Sequence, residues 1–303
     1  MNHQRFRQNC KIFQFIKKDF KFMKKKVPIK CIIVLLSVFL FLLTPPAIYL
    51  RSLLVMSVYS GHMKKESLME EKGFDIHIPG GLATWKTDWY PFVMTFVDNK
   101  GFQSYMGNKN LSLTILYNFP AFSLLNGCSR LFDEKSPYFN GFYGAYLVSD
   151  SSGKSYGFDS DGNINKREVI SVPEFDFYWL VLQDFGLSQE DFIFDCEITE
   201  IKEDISYSGF DGWTRIDSDI MVNHACHTAR QNVMSYLQYG SPNYKPSSEF
   251  AVIPMKGRIY ARYFSEWNVS IFYYIITVDE EILEECDEKI LSRSKLEQVL
   301  PDG

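Results

Sequence analysis

The feature that most constrains this chain is an uncharged, apolar stretch over residues 31–50, CIIVLLSVFLFLLTPPAIYL. A helix rises about 1.5 Å per residue, so twenty residues span roughly 30 Å, the hydrocarbon thickness of a bilayer. The stretch therefore predicts one N-terminal transmembrane helix. Pro45 and Pro46 are expected to kink or end this helix near the outer membrane interface.

The charges on the two sides of this stretch are opposite. Residues 1–30 contain ten Lys or Arg and one acid, Asp19, which gives a net charge of +9. Because the whole chain carries −5, residues 31–303 carry −14. Basic residues beside a membrane span stay on the cytoplasmic side and are attracted to anionic lipid. We therefore predict a cytoplasmic basic arm over residues 1–30, membrane lipid as its partner, and an extracytoplasmic location for the rest.

Two alternatives concern this N-terminal region. Cleavage after Ala47 would release a secreted protein, but the exit sequence TPPA lacks the A-x-A pattern of signal peptides, so a retained signal-anchor is favoured. Met23 begins MKKKVPIKCIIVLLSVFLFLL, which has the proportions of a signal sequence, so translation from Met23 is the alternative to Met1.

Residues 51–73 are predicted to be a polar juxtamembrane stalk that ends at Gly73. Residues 74–303 are long enough to bury one core and are predicted to form a single extracytoplasmic domain. The acidic charge of this part excludes nucleic acid as a partner, because no basic stripe is available to neutralise phosphates. The chain also contains 26 Phe and 18 Tyr. Such a composition is typical of an A/T-rich bacterial genome.

Short runs of alternating or continuous apolar residues predict strands throughout this part of the chain. The predicted strands cover 74–78, 91–97, 111–119, 138–148, 191–201, 213–222, 249–255, 257–264 and 269–278. Helices are predicted for 173–185, for 227–240 and from the N-cap Asp279 onwards. The predicted fold class is α+β, a mainly antiparallel sheet with about three helices, preceded by the N-terminal transmembrane helix.

The densest group of reactive side chains is His224, Cys226 and His227. Imidazole can activate a thiolate, so these residues are the weak candidates for a thiol-dependent hydrolase or transferase. The same donors could contribute to a metal site, but further ligands are not evident and neither a metal nor a cofactor is expected. The run at 159–163, DSDGN, lacks the Gly and Glu positions of a calcium loop and predicts a turn.

Aromatic residues provide the weak candidates for binding: Trp85, Trp89, Tyr90 and Trp213. Exposed aromatic rings give contact area to sugars or peptides at a low entropy cost. Alternation within the predicted strands favours core packing for about half of the aromatic residues. The four cysteines of this part, Cys128, Cys196, Cys226 and Cys286, are interpreted as mostly free and buried thiols, with disulfides as the alternative.

Together these patterns predict a single-pass protein of the bacterial cell membrane, with its N-terminus in the cytoplasm. Its expected role is binding or structural at the cell envelope, with an envelope protein or a glycan as a possible partner. Enzymatic activity is not indicated by a specific motif. An envelope enzyme using the Cys/His group, or a metal-binding ectodomain, is the alternative.

Overall fold

A computed structural model describes residues 29–42, 44, 47, 58–79, 92–120, 122–123, 128–129, 135–183, 187–224 and 250–299. The chain divides into two compact units, residues 1–44 and 45–303. In the first unit the structure describes helix α1, Ile29–Leu42. Residues 1–28, which make up most of the predicted arm, lie outside the described residues. No described helix is both long and apolar enough to cross a membrane.

The second unit is built on an antiparallel sheet of seven described strands. Its spatial order is β2-β3-β6-β10-β9-β8-β7. The strands are β2 Phe92–Thr95, β3 Leu111–Asn118, β6 Phe142–Asp150, β7 Phe194–Tyr207, β8 Phe210–Asn223, β9 Val252–Phe264 and β10 Val269–Thr277. Two short pairs accompany it: β1 (Phe74–His77) with β11 (Lys295–Gln298), and β4 (Phe122–Ser123) with β5 (Cys128–Ser129).

The helices of this unit are short. They are α2 Leu68–Lys72, α3 Lys100–Met106, α4 Lys166–Asp176 and α5 Glu280–Lys289, with a helical segment over 58–65. A π-helix, Phe177–Leu182, continues α4, and a 3₁₀-helix, Leu291–Arg293, follows α5. The predicted α+β class with a mainly antiparallel sheet is confirmed.

Both faces of the central strands are buried. Every residue of β6 and of β10 is buried, which explains why these strands are almost continuously apolar. One core contains Phe102 of α3, Val169 and Phe175 of α4, and the inward side chains of the sheet. The other core contains Leu68 of α2, Leu283 of α5 and side chains from the opposite face of the sheet.

Residues 58–73 differ from the predicted stalk because they pack on the sheet. Leu68 and Met69 are buried, and the backbone N–H of Leu68 donates to Thr114 Oγ1 of β3 at 3.0 Å. The hydroxyl of Ser60 accepts from the backbone N–H of Val93 at 3.1 Å. The mixed charges of this segment lie on its solvent side. They make the sequence look polar throughout, although Leu68 and Met69 are buried. The prediction of a spacer is therefore wrong for the described part of it.

Helix α4 begins seven residues before the predicted start at Pro173. Asn165 is its N-cap, and its side-chain oxygen accepts from the backbone N–H of Glu168 at 3.4 Å. Pro173 lies inside the helix, where its ring is buried. An interior Pro leaves one backbone carbonyl without a helical donor, and sequence rules therefore place it in the first turn.

The remaining predictions have mixed outcomes. Two separate strands were predicted for 249–255 and 257–264. The structure instead has one continuous strand, β9 from Val252 to Phe264, with β8 and β10 paired on its two sides. The N-cap of α5 is confirmed: Asp279 Oδ1 accepts from the backbone N–H groups of Glu281 and Ile282. The helix predicted for 227–240 lies outside the described residues.

Candidate functional site

An open groove of about 1110 Å³ lies between α3 and α4. One wall comes from α3 and includes Ser104 and Tyr105. The other wall comes from α4 and includes Arg167 and Glu174. Trp179 of the π-helix and Gln189 also line the groove. Concave sites with aromatic residues and a few polar groups are the common form of ligand sites in proteins.

Helix α3 is only seven residues long and is stabilised at both ends. Asn99 Oδ1 accepts from the backbone N–H of Phe102 at 3.0 Å, and Gly107 ends the helix with φ 66°. Phe102 is buried and anchors the helix to the core. With Phe102 inward, Ser104 and Tyr105 line the groove.

The groove side of α4 is set by helical spacing. Arg167, Ser171 and Glu174 follow each other at intervals of four and three residues, so they share one face. Val169, Val172 and Phe175 are buried on the side that faces the sheet. The helix is therefore amphipathic in the ordinary way, and its polar face forms the wall.

The π-helix brings Trp179 to the same groove. Its last hydrogen bond runs from the backbone N–H of Gln183 to the carbonyl of Tyr178, an i→i−5 spacing. Trp179 lies within this wider turn and lines the groove together with Glu174 of α4. Single π turns within helices are frequent at functional sites.

Phe175 fixes the two aromatic rings of the groove. Its ring centroid lies 5.3 Å from that of Tyr105, edge to face, and 6.0 Å from that of Trp179, with nearly parallel planes. Phe102 packs against the same ring at 4.9 Å. Because Phe175 is itself buried, both half-buried rings are held in place before any ligand arrives.

Partial burial raises the pKa of the Glu174 carboxyl, an effect that the Arg167 guanidinium opposes. Burial, reinforced by Glu174, raises the pKa of Tyr105 well above its ordinary value. Tyr105 is therefore a neutral hydroxyl at physiological pH. The hydroxyls of Tyr156 and Ser171 lie 2.9 Å apart at the edge of the groove. The groove thus presents hydrogen-bonding groups of both kinds beside two aromatic faces.

His224 is buried immediately after β8, and the structure gives it a role in packing. Its backbone N–H donates to the carbonyl of Ala251 at 2.9 Å, and its ring centroid lies 5.7 Å from that of Phe139. Cys226 and His227 lie outside the described residues, so the proposed thiol group stays a prediction. Among described residues, Cys196 and the buried Cys286 are free thiols.

Trp213 does not belong to a binding surface. Its side chain is 0% exposed, and its ring packs 5.2 Å from Tyr273 and 5.8 Å from Phe264 in the core opposite to the groove. The alternation of β8 turns this residue inward, as the core interpretation expects. Trp85, Trp89 and Tyr90 lie outside the described residues.

The described residues contain no cluster of three His, Cys, Asp or Glu side chains suited to a metal ion. The DSDGN segment forms the predicted turn: Asp159 Oδ1 accepts from the backbone N–H groups of Asp161 and Asn163, both at 2.9 Å. Its carboxylate is therefore used by the turn itself.

A second polar cluster lies on the opposite face of the sheet and is structural. The Arg258 side chain is 5% exposed and donates to Asp217, Glu284 and Asp287 at 2.6 to 2.8 Å. The hydroxyl of Tyr260 also donates to Asp287, at 2.5 Å. These bonds join α5 to β8 and β9.

Sequence reasoning missed all the groove residues named here. The Asn99 and Gly107 caps were a signal for α3, but seven residues are too few for a helical period to be visible. The predicted helix 173–185 places Glu174 in a first turn, whereas the structure has it near the end of α4. The π turn that contains Trp179 is not revealed by periodicity.

Comparison of the chain with protein-family models, with curated proteins and with solved structures finds no match.

Proposed function

We propose that this chain is a single-pass membrane protein of the cell envelope whose C-terminal domain binds a ligand in the groove between α3 and α4. The N-terminal arm stays in the cytoplasm, and the domain lies outside the membrane. The domain acts by binding and needs no chemistry of its own. The groove with its two rigidly held rings is the observation that carries the binding role.

Two observations support the membrane anchor. Helix α1 exposes almost only apolar side chains; that of Leu35, for example, is 65% exposed. Such a surface is stable in lipid or against another apolar partner, and it is costly in water. The uncharged sequence continues beyond α1 to residue 50, and the arm of +9 precedes it.

The geometry of the groove supports binding over catalysis. Tyr105 and Trp179 are positioned by contacts with Phe175, and the Glu174 carboxyl has Arg167 as its charge partner. A nucleophile with a general base beside it is the minimum for covalent catalysis. The groove residues described above offer hydrogen bonds and ring faces instead.

Topology is tested on the full chain expressed in bacterial cells with a different epitope tag at each end. Protease applied to cells with a permeabilised outer layer is expected to digest the C-terminal tag and to spare the N-terminal tag. The matched control is Leu35→Glu with Leu36→Glu, which should release the protein from the membrane fraction. Protection of both tags, or an unchanged membrane fraction in the control, would contradict the anchor.

Binding at the groove is tested by a photo-crosslinking residue at Ser104, compared with the same residue at Glu203. Both side chains are exposed, but Glu203 lies on the outer strand β7, outside the groove lining. Envelope adducts are expected at Ser104 alone. Equal adducts at the two positions, or none at either, would remove the groove as the binding site.

A further inference from the structure

We infer that the ligand of the groove is a neutral oligosaccharide. This inference rests on the proposed binding role and names the chemical class that the groove residues fit best. The argument uses the two ring faces, the hydrogen-bonding groups beside them, and the charge of the lining.

The two aromatic rings match the apolar faces of sugar rings. In sugars of the glucose type the hydroxyl groups point outward around the ring, and the C–H groups form a flat apolar patch on each face. Tyr105 and Trp179 are both half-buried, and both are braced by Phe175 at 5.3 and 6.0 Å. A ring that is already fixed loses little entropy when a sugar stacks on it.

The polar groups of the groove suit hydroxyl groups, which donate and accept at once. Arg167 supplies donors, Glu174 supplies acceptors, and the Ser104 hydroxyl and the Gln189 amide supply both. Ser104, Arg167 and Gln189 are exposed to solvent, so a ligand can reach them. An apolar ligand would leave many of these polar groups without a hydrogen-bond partner.

The charge of the lining disfavours anionic polymers. Arg167 is the cation among the described lining residues, and Glu168 and Glu174 are the acids, which gives a net charge of −1. Glu168 already accepts a hydrogen bond from the backbone N–H of Gly157 at 2.7 Å. A polyanion would meet repulsion here, whereas a neutral chain does not.

The shape of the groove also disfavours a peptide. Its two walls are helices, so an extended peptide cannot add to a strand edge within it. An amphipathic helix needs a continuous apolar groove, and here Arg167 and Glu174 interrupt the apolar surface. Among a polyanion, a peptide and a neutral oligosaccharide, the neutral oligosaccharide therefore fits the groove residues best.

The test is calorimetric titration of the full chain, held in a zwitterionic detergent without a sugar head group. The probes are cellotetraose and its N-acetylated counterpart chitotetraose. A tetramer of galacturonic acid and a neutral pentapeptide of Gly, Ser and Tyr are the comparison ligands. Binding of a neutral tetrasaccharide, but of neither comparison ligand, is the expected result.

The variants Tyr105→Ala and Trp179→Ala are expected to weaken this binding by about tenfold or more, while Tyr105→Phe keeps it. Tyr138→Ala is the matched control, because Tyr138 packs against the core on the opposite face. Ser104→Tyr fills the groove from an exposed position and should block binding without disturbing the core. It serves as the test if an aromatic variant fails to fold.

Three results would overturn the inference. These are the absence of binding to both neutral tetrasaccharides at millimolar concentration, equal affinity in the groove variants and Tyr138→Ala, and preferential binding of the peptide. The peptide result, together with crosslinks at Ser104, would leave the proposed binding role intact. Absence of both sugar binding and position-dependent crosslinks would remove the inference and the proposed function together.

Discussion

The guanidinium of Arg258 and the carboxylate of Asp287 lie 2.7 Å apart in the layer between the sheet and α5. Arg258 belongs to β9 and Asp287 to α5, so this bond ties the C-terminal helix to the centre of the domain. Asp217 of β8 completes the arrangement at 2.6 Å from the same guanidinium. Asp287 and Asp217 are 29 and 41 positions away from Arg258 along the chain, so the sequence alone does not predict that they pair with it.

Removing the arginine should be far more costly than removing an exposed lysine. Arg258→Met leaves Asp287 mostly buried without its cation, whereas Asp217 keeps the Arg215 guanidinium at 2.6 Å. We expect a loss of about 3–5 kcal/mol in the free energy of unfolding. The control Lys256→Met breaks the exposed pair with Asp219 and should change the free energy of unfolding far less, because solvent screens this pair. Denaturant unfolding of both variants measures the difference, and equal costs would show that the cluster is not structural.

Asp176 should make stability depend on pH between about 4 and 7. Its carboxyl is fully buried, and one oxygen accepts from the Tyr146 hydroxyl at 2.7 Å. Burial raises the pKa of Asp176 to about 7, although the Tyr146 hydrogen bond opposes the shift. The folded state therefore holds a proton that the unfolded chain, with a pKa of roughly 3.9, has already released.

The sign of this effect follows from the raised pKa. The stability contributed by the protonated carboxyl is complete below about pH 4, falls as the pH rises, and is lost above about pH 7. The two pKa values correspond to about 4 kcal/mol at most. Asp176→Asn removes this titration. The free energy of unfolding of the variant, minus that of the original chain, should therefore rise by several kcal/mol between pH 4 and pH 8. A difference that stays constant across this range would contradict the prediction.

Gly144 should be essential for strand packing. A Cβ at this position of β6 would lie 1.8 Å from the backbone oxygen of Leu116 in β3, which cannot move without breaking the sheet. Gly144→Ala is therefore expected to prevent folding or to cost several kcal/mol. Gly61→Ala is the matched control, because a Cβ added at Gly61 would meet nothing within 4 Å and Gly61 lies in a helical segment. That change should be neutral or stabilising by up to about 1 kcal/mol. Thermal unfolding separates the two outcomes.

The N-cap of α3 should affect ligand binding through the groove wall. Asn99→Ala removes the acceptor for the Phe102 N–H and should cost about 1 kcal/mol. Since α3 has only seven residues, its amides should exchange faster with deuterium, and ligand affinity at Tyr105 should fall several-fold. Asn99→Asp keeps the cap and should restore both properties. Unchanged exchange over residues 100–106 in Asn99→Ala would refute this coupling.

Much of the sheet was predictable because burial leaves a simple trace in the sequence. Strands such as β3 and β10 are bounded by turns and are apolar throughout or in alternation, and both were predicted within about a residue of their ends. The strand β11 was not predicted, because KLEQ has one buried side chain, Leu296, and forms only by pairing with β1. Tertiary pairing decides such short elements, and local sequence does not.

The groove was less predictable for a related reason. Its residues come from α3, α4 and the π-helix, and their meeting depends on the packing around Phe175. The predicted start of α4 at Pro173 was also wrong, because the helix begins after its N-cap Asn165. Binding candidates chosen from aromatic density alone included Trp213, which the structure buries completely.

The pairing of β1 with β11 has a consequence for the order of events during synthesis. Phe74 lies opposite Gln298, and His77 lies opposite Lys295, so the first and last of the described strands of the domain pair with each other. Residues 74–77 leave the ribosome more than two hundred residues before their partner exists. The pair of β1 with β11 can therefore form only after residues 295–298 have been made. A chain that stops short of residue 295 would leave β1 without its partner strand.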